Sequence, residues 1–239
     1  MKNNQKIDVI CFDGLHNVGK STQIELAKRQ LGSMGIHSLI RRGDGSRKGL
    51  GIVEEDPISE WWQDNYQDIV DTGVEGHKAE LAAQMASRRL GQELLHLCNI
   101  EYPKLLDEYH IDRGVVLLNR GPISRLFVSR RLKSDSVPKL YEGDPSYQIA
   151  PDHIFVLHAD KETLIKRNET RLEGGQQKRD FNANIINKYH NDFSNTLDAL
   201  PEELAEITTI VDASPDIQSI HFMIMRLILD ELGVNHEQR

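Results

Sequence analysis

The stretch Gly14-Leu15-His16-Asn17-Val18-Gly19-Lys20-Ser21 fits the pattern G-x-x-x-x-G-K-[ST], which has meaning only when a strand leads in and a helix leads out. Both flanks are present. Ile7-Asp8-Val9-Ile10-Cys11-Phe12 is a short, mostly apolar run that reads as a buried strand. Beyond the loop, Ile24, Leu26, Ala27 and Leu31 form a helical apolar stripe that stops near Gly32 and Gly35. In a loop of this kind the glycines let the backbone turn its N–H groups inward around phosphate oxygens. The lysine brings a mobile positive charge, the serine hydroxyl is a ligand for Mg²⁺, and the helix adds the positive end of its dipole. A chance match in a glycine-containing turn is the competing reading, and the flanking strand and helix argue against it. Gly14, His16, Asn17, Val18, Gly19, Lys20, Ser21 and Thr22 are therefore the expected contacts of a nucleoside triphosphate.

The remainder of the chain alternates strand and helix. Residues 37–40, 115–118, 153–158 and 207–211 read as further strands, and 115–118 is apolar throughout, as for a strand buried on both faces. Residues 77–109 read as a long helix or a kinked pair interrupted by Pro103. Pro122 suits the first turn of another helix. Residues 161–172 and 182–200 read as helices, the second with Ile185, Ile186, Tyr189, Phe193 and Leu197 inward. The last helix is opened by Asp212-Ala213-Ser214-Pro215 and has Ile217, Ile220, Ile224, Leu227 and Ile228 inward. Such alternation predicts one doubly wound α/β domain over residues 1–239. Glu173-Gly174-Gly175-Gln176-Gln177-Lys178-Arg179-Asp180 is polar and glycine-containing and suits a short mobile lid, about 171–182. Trp61 and Trp62 read either as a wall for base stacking or as core residues.

The 239 residues carry a net charge of −8, which argues against broad nucleic-acid binding. No apolar run approaches the ~20 residues of a membrane span, and the first residues lack the apolar core of a secretion signal. Cys11 and Cys98 read as small core residues in a reducing compartment. These features predict a cytoplasmic enzyme acting on a small molecule.

Within the triphosphate-binding class, a guanine-reading N-K-x-D is missing: Asn187-Lys188-Tyr189-His190 lies mid-helix without the Asp. The strand at 115–118 ends in Asn119, not in the acidic residue of a motor ATPase. In excess are arginines where a second phosphate would sit: Arg42, Arg89, Arg120, Arg167, Arg171 and Arg179. Phosphoryl transfer is catalysed mainly by positioning and by neutralising charge on the transferring group, so this excess points to a kinase.

Several segments resemble the thymidylate kinases, in the right order along nearly the whole chain. The run from Phe12 to Gln23 looks like their FEGLDGAGKSTQ segment, and Arg42-Gly43-Asp44-Gly45-Ser46 is similar to their REPGGT. Ala86-Ser87-Arg88-Arg89 falls where they carry an arginine that contacts the base. Asn119-Arg120-Gly121-Pro122-Ile123-Ser124 resembles D-R-Y-x-x-S, and Val211-Asp212-Ala213-Ser214 is like the I-D-A-S near their C-terminus. The resemblance implies a three-layer α/β/α P-loop fold with a five-stranded parallel sheet. It also implies transfer of the ATP γ-phosphate to a nucleoside monophosphate with Mg²⁺, and a homodimer. Lys20 and Arg179 would neutralise the transferring group, with Arg171 beside the ATP. Ser21 and Asp44 would serve Mg²⁺, while Arg42, Asp44, Arg89, Arg120 and Ser124 would serve the acceptor.

Three departures bear on the acceptor. The family's loop Asp is His16, the Asp of its D-R motif is Asn119, and its Glu-Pro is Gly43-Asp44. An acceptor other than dTMP fits them, as does a weakened enzyme. Glu55-Asp56-Pro57-Ile58-Ser59-Glu60-Trp61 faintly resembles the E-P-x-x-x-W of deoxynucleoside kinases, with Gln84 then reading a base edge. A regulatory nucleotide-binding protein without turnover is the alternative of another class.

Overall fold

The structure, a computed structural model, describes residues 6–42, 97–131, 151–174 and 183–234. Strand β1 (Lys6–Gly14) leads through the glycine-bounded loop into helix α1 (Lys20–Ser33), which is followed by β2 (His37–Arg42). A π-helical turn at Leu97–Glu101 continues into α2 (Tyr102–Glu108), with Pro103 in its first turn. The order then runs β3 (Arg113–Asn119), α3 (Pro122–Arg131), β4 (His153–His158), α4 (Lys161–Glu173), α5 (Ala183–Leu197), α6 (Glu202–Glu206), β5 (Thr208–Asp212) and α7 (Ile217–Glu231).

The five strands are parallel, in the order β2-β3-β1-β4-β5. From Val9 to Gly14 every residue of β1 is buried, and Gly114–Leu118 and Ile154–Leu157 are buried in β3 and β4. Continuous apolar runs belong to central strands covered on both faces. Helix α1 packs on α7, whereas α5 packs on both α3 and α4. With right-handed crossovers, this puts α1 and α7 on one face of the sheet and α3 to α5 on the other. The result is a three-layer α/β/α fold. Aromatic contacts join sheet and helices: Phe12 and Phe155 lie 5.7 Å apart between ring centroids, and Phe127 meets Phe193 edge-on at 5.4 Å.

The chain order reverses at β1. Its two neighbours, β3 and β4, lead into helices on the face opposite α1, so the loops leaving β1 and β3 diverge. Such a switch point opens a crevice outside the carboxyl ends of the strands, where ligands bind in open α/β sheets.

All five strands fall where the apolar runs placed them. Three helical details differ from the sequence reading. Helix α7 begins at Ile217 with Asp216 as its cap, whose carboxylate accepts from the N–H groups of Gln218 (2.9 Å) and Ser219 (3.0 Å). Ile217, expected inward, is 52% exposed in the first turn, and the buried face begins at Ile220. Helix α6, at five residues, is too short to carry an amphipathic period and was not anticipated. Cys11 and Cys98 are buried thiols outside any disulfide, and burial pushes Cys98 up to about 11.

Gly114 in β3 lies beneath the Tyr102 ring, where an added Cβ would come within 2.6 Å of Cζ. That ring cannot yield, since Tyr102 is 1% exposed and its hydroxyl donates to the His37 carbonyl at 3.1 Å. Gly114→Ala should therefore lose about 1–3 kcal/mol of unfolding free energy in urea titration. Gly32→Ala, in α1 with open space around the new methyl, should be neutral or gain up to about 1 kcal/mol.

Candidate active site

The loop after β1 takes its shape from residues that tolerate positive φ: Gly14 (133°), Asn17 (64°) and Gly19 (105°). At Gly14 the requirement is also steric, because a Cβ would lie 2.3 Å from the Leu157 carbonyl oxygen. Val18 turns into the core at 1% exposure and anchors the loop. Asn is among the few non-glycine types that enter the left-handed region readily, and Asn17 also uses its side chain. Its Oδ1 accepts from Arg171 Nη1 at 2.6 Å, and its Nδ2 donates to the buried Asn168 Oδ1 at 3.0 Å. The loop is thus tied to α4 by a polar relay.

Lys20 folds back over the loop. Its Nζ donates to the carbonyls of Gly14 (2.8 Å) and Leu15 (2.6 Å), and the side chain is nearly buried. Burial, followed by the charge of Arg120, lowers its pKa to about 7, against a smaller upward pull from Asp13. A lysine so placed is held below its usual charge until an anion arrives.

Asp13, at the end of β1, is fully buried. Its carboxylate accepts from the backbone N–H groups of Gly121 (3.1 Å), Ile123 (3.1 Å) and Ser124 (3.2 Å), and from the Ser124 hydroxyl. These are the free donors of the α3 N-terminus, satisfied across the sheet. The turn they fix holds Arg120, whose φ of 70° is unusual for a residue with a Cβ and whose N–H donates to the Phe12 carbonyl at 2.9 Å. Such strain persists where the surroundings over-determine it, often at functional sites. The Arg120 guanidinium reaches His16, with Nη2 2.8 Å from Nε2. Guanidinium has no acceptor, so the imidazole nitrogen receives the bond. Beside it, Asn119 Nδ2 donates to Ser21 Oγ at 3.1 Å.

A polar cleft of about 210 Å³ lies at this switch point, walled by the loop from His16 to Thr22, by Asn119 and Arg120, and by Arg171. Of the residues expected at a site, it gathers His16, Asn17, Gly19, Lys20, Ser21, Thr22, Arg120 and Arg171. Gly14 and Val18 shape the loop from beneath. Ser124 does not line the cleft, since its hydroxyl is engaged by Asp13. Arg167 separates from Arg171 despite their shared helix face: it donates to the carbonyls of Val18 (3.2 Å) and Ala213 (2.7 Å), clamping the loop to the segment after β5. Asp44, Arg89, Arg179 and the side chain of Arg42 lie outside the described residues, as do Glu55, Asp56, Trp61, Trp62, Gln84 and lid residues 175–182.

Asp13, Asn168 and Asp160 were not singled out from the sequence. Asp160 caps α4 by accepting from the Thr163 N–H at 2.6 Å, and it also accepts the Ser214 hydroxyl at 3.0 Å, joining α4 to the segment after β5. The available signal was an ionisable residue closing an apolar strand run, which needs partners from elsewhere in the chain.

Anion binding should recharge Lys20. At pH 8, between its lowered pKa of about 7 and the ordinary 10.5, adding triphosphate should draw in about one proton per site. Calorimetry in buffers of different ionisation enthalpy measures this uptake, and Lys20→Met should abolish it. Asp13→Ala would strand buried N–H groups and should cost at least about 2 kcal/mol in chemical denaturation.

No family model matches this chain. Among solved structures it is similar to the thymidylate kinase of Candida albicans, an enzyme of broad substrate specificity. The TM-score is 0.61 over 96% of this chain and 94% of that chain, at 14% sequence identity. At that identity the likeness is one of fold, and it agrees with the five-stranded parallel sheet and flanking helices described above.

Proposed function

We propose that this chain is a nucleoside monophosphate kinase of the thymidylate kinase type, folded as one domain over residues 1–239, that moves the ATP γ-phosphate to a nucleoside monophosphate. The observation that carries the reading is the convergence of Lys20, Arg120 and Arg171 on one cleft around a loop of left-handed turns. Cations fixed at the switch point of a parallel sheet suit the negative charge of two phosphate groups approaching each other. The loop N–H groups and Lys20 hold the β- and γ-phosphates, and Arg171 leans over the loop from α4. Arg120, from the opposite wall, meets the acceptor phosphate, with Arg42 and Arg89 assisting. Arg179, in the lid, supplies further charge on closure.

Phosphate fits the residues present. Mg²⁺, which usually binds through one or two carboxylates together with substrate phosphates, finds at this cleft the Ser21 hydroxyl and the Asn119 amide. Among the described residues no group of three or more His, Cys, Asp and Glu could hold a metal. When bound, Mg²⁺ would supply charge neutralisation at the phosphates, and Asp44 is the remaining candidate ligand.

His16 supports an acceptor other than dTMP. It stands where the resembled family has an acidic residue, and it engages Arg120 directly. The broad substrate specificity of the Candida albicans enzyme, a protein of similar fold, is in keeping with that reading. No helix of the described residues is long and apolar enough to cross a membrane, which suits a cytoplasmic enzyme with a small-molecule substrate. A homodimer and the lack of a nucleic-acid partner complete the reading.

The test is coupled ADP release with Mg·ATP against nucleosides and nucleoside monophosphates, ribo and deoxy. The expected outcome is turnover with a monophosphate, reduced about 10²–10³-fold in Lys20→Ala and in Arg120→Ala. Turnover confined to unphosphorylated nucleosides would replace the reading with a nucleoside kinase. ATP binding without turnover on any acceptor would make the chain a regulatory nucleotide-binding protein.

A further inference from the structure

We infer that Asn17 is a positioning residue, whose side-chain amide holds the Arg171 guanidinium over the loop after β1 before a ligand arrives. The inference rests on the triphosphate reading above and concerns how that site is organised. Arg171 stands exposed in the last turn of α4, on a side chain with many rotamers to lose. Its Nη1 donates to Asn17 Oδ1 at 2.6 Å. The other end of that amide is fixed too, since Asn17 Nδ2 donates at 3.0 Å to Oδ1 of Asn168, a residue only 3% exposed. A flipped Asn17 amide would set donor against donor at Arg171 and acceptor against acceptor at Asn168. Asn168 and Arg171 lie on one side of α4, at i and i+3, so one amide spans both.

The loop backbone is fixed by other means. Val18 is buried in the core, its carbonyl accepts from Arg167, and Gly14 fits closely against the Leu157 carbonyl. At Asn17 the backbone needs only tolerance of a φ of 64°, which glycine also has. The side chain of Asn17 is thus separable from the shape of the loop. Arg171 lines the cleft beside Lys20. Burial is the main cause of the lowered Lys20 pKa, and the Arg171 charge adds a small downward pull, so the guanidinium lies within electrostatic reach of the ammonium. Holding Arg171 there in advance takes the cost of ordering it out of the binding step.

The experiment is calorimetric titration of the full chain with ATP and with inorganic tripolyphosphate, for wild type, Asn17→Gly, Arg171→Gln and the double variant. Asn17→Gly keeps the left-handed turn and should weaken both ligands about three- to tenfold. In the Arg171→Gln background the same change should weaken them by less than about twofold, because no guanidinium remains to be held. Looseness added by the glycine itself appears in both backgrounds and cancels in the cycle. Equal losses in the two backgrounds, or no loss from Asn17→Gly, would overturn the inference and leave the triphosphate reading intact. NMR relaxation of the Arg171 Nε–H, assigned by its disappearance in Arg171→Gln, gives a readout without ligand. That group should be as rigid as the backbone in wild type and mobile in Asn17→Gly. A mobile guanidinium in wild type would sink the inference even if the glycine variant failed to fold. Wild type that binds neither ATP nor tripolyphosphate would overturn the triphosphate reading, and with it the role assigned to Asn17.

Discussion

The Asp13 carboxylate, sealed at the end of β1 and filled by donors from the start of α3, fixes the geometry on which the site depends. Strands β1 and β3 are hydrogen-bonded neighbours, but their outgoing loops lead to opposite faces of the sheet. Without a tie at their carboxyl ends, the two walls of the crevice would be positioned only by the strands below. Asp13 supplies that tie by accepting from three backbone N–H groups and one hydroxyl. Charge-assisted bonds of this kind are strong, and a buried carboxylate is tolerable only when so satisfied. The left-handed backbone at Arg120 and its bond to the Phe12 carbonyl follow from the same constraint.

Two further ties complete the frame. Arg167 gathers carbonyls from the loop and from the segment after β5, and the Asn17–Asn168–Arg171 relay joins the loop to α4. One arginine of α4 is spent on the scaffold, and the other, a turn later, is left at the cleft. Their spacing puts them on one side of the helix. Their different fates come from the ends of distant strands, which present carbonyls to one and the cleft to the other.

Within this frame the electrostatics are unbalanced. Lys20, Arg120 and Arg171 repel one another, and the lowered pKa of Lys20 registers first its burial and then that repulsion. An anion bound there, as in the proposed reading, would relieve the imbalance. His16 and Asn119 sit within the cluster without bringing a carboxylate to it. They bond to Arg120 and Ser21, the residues assigned in this reading to the acceptor phosphate and the metal.

Much of this was legible in the chain itself. The five strands, the loop and the first turns of α1 and α3 follow from local rules: apolar runs, glycine and asparagine where φ is positive, proline at a helix start. Pocket residues within the loop could be named because the loop's function is a property of its own backbone. Asp13 as the tie between strands, the separation of Arg167 from Arg171, the engagement of Ser124 by Asp13 and the exposure of Ile217 could not be read this way. The first three are decided by partners more than forty positions away, which no local period encodes, and the last by how the packed chain leaves the start of α7. The sequence by itself determined the fold class and the glycine-bounded loop after β1, because both arise from short-range backbone preferences. Only the tertiary structure decided which charges hold the scaffold and which face the cleft, because a buried charge must be met by whatever donors or acceptors the packed chain brings to it.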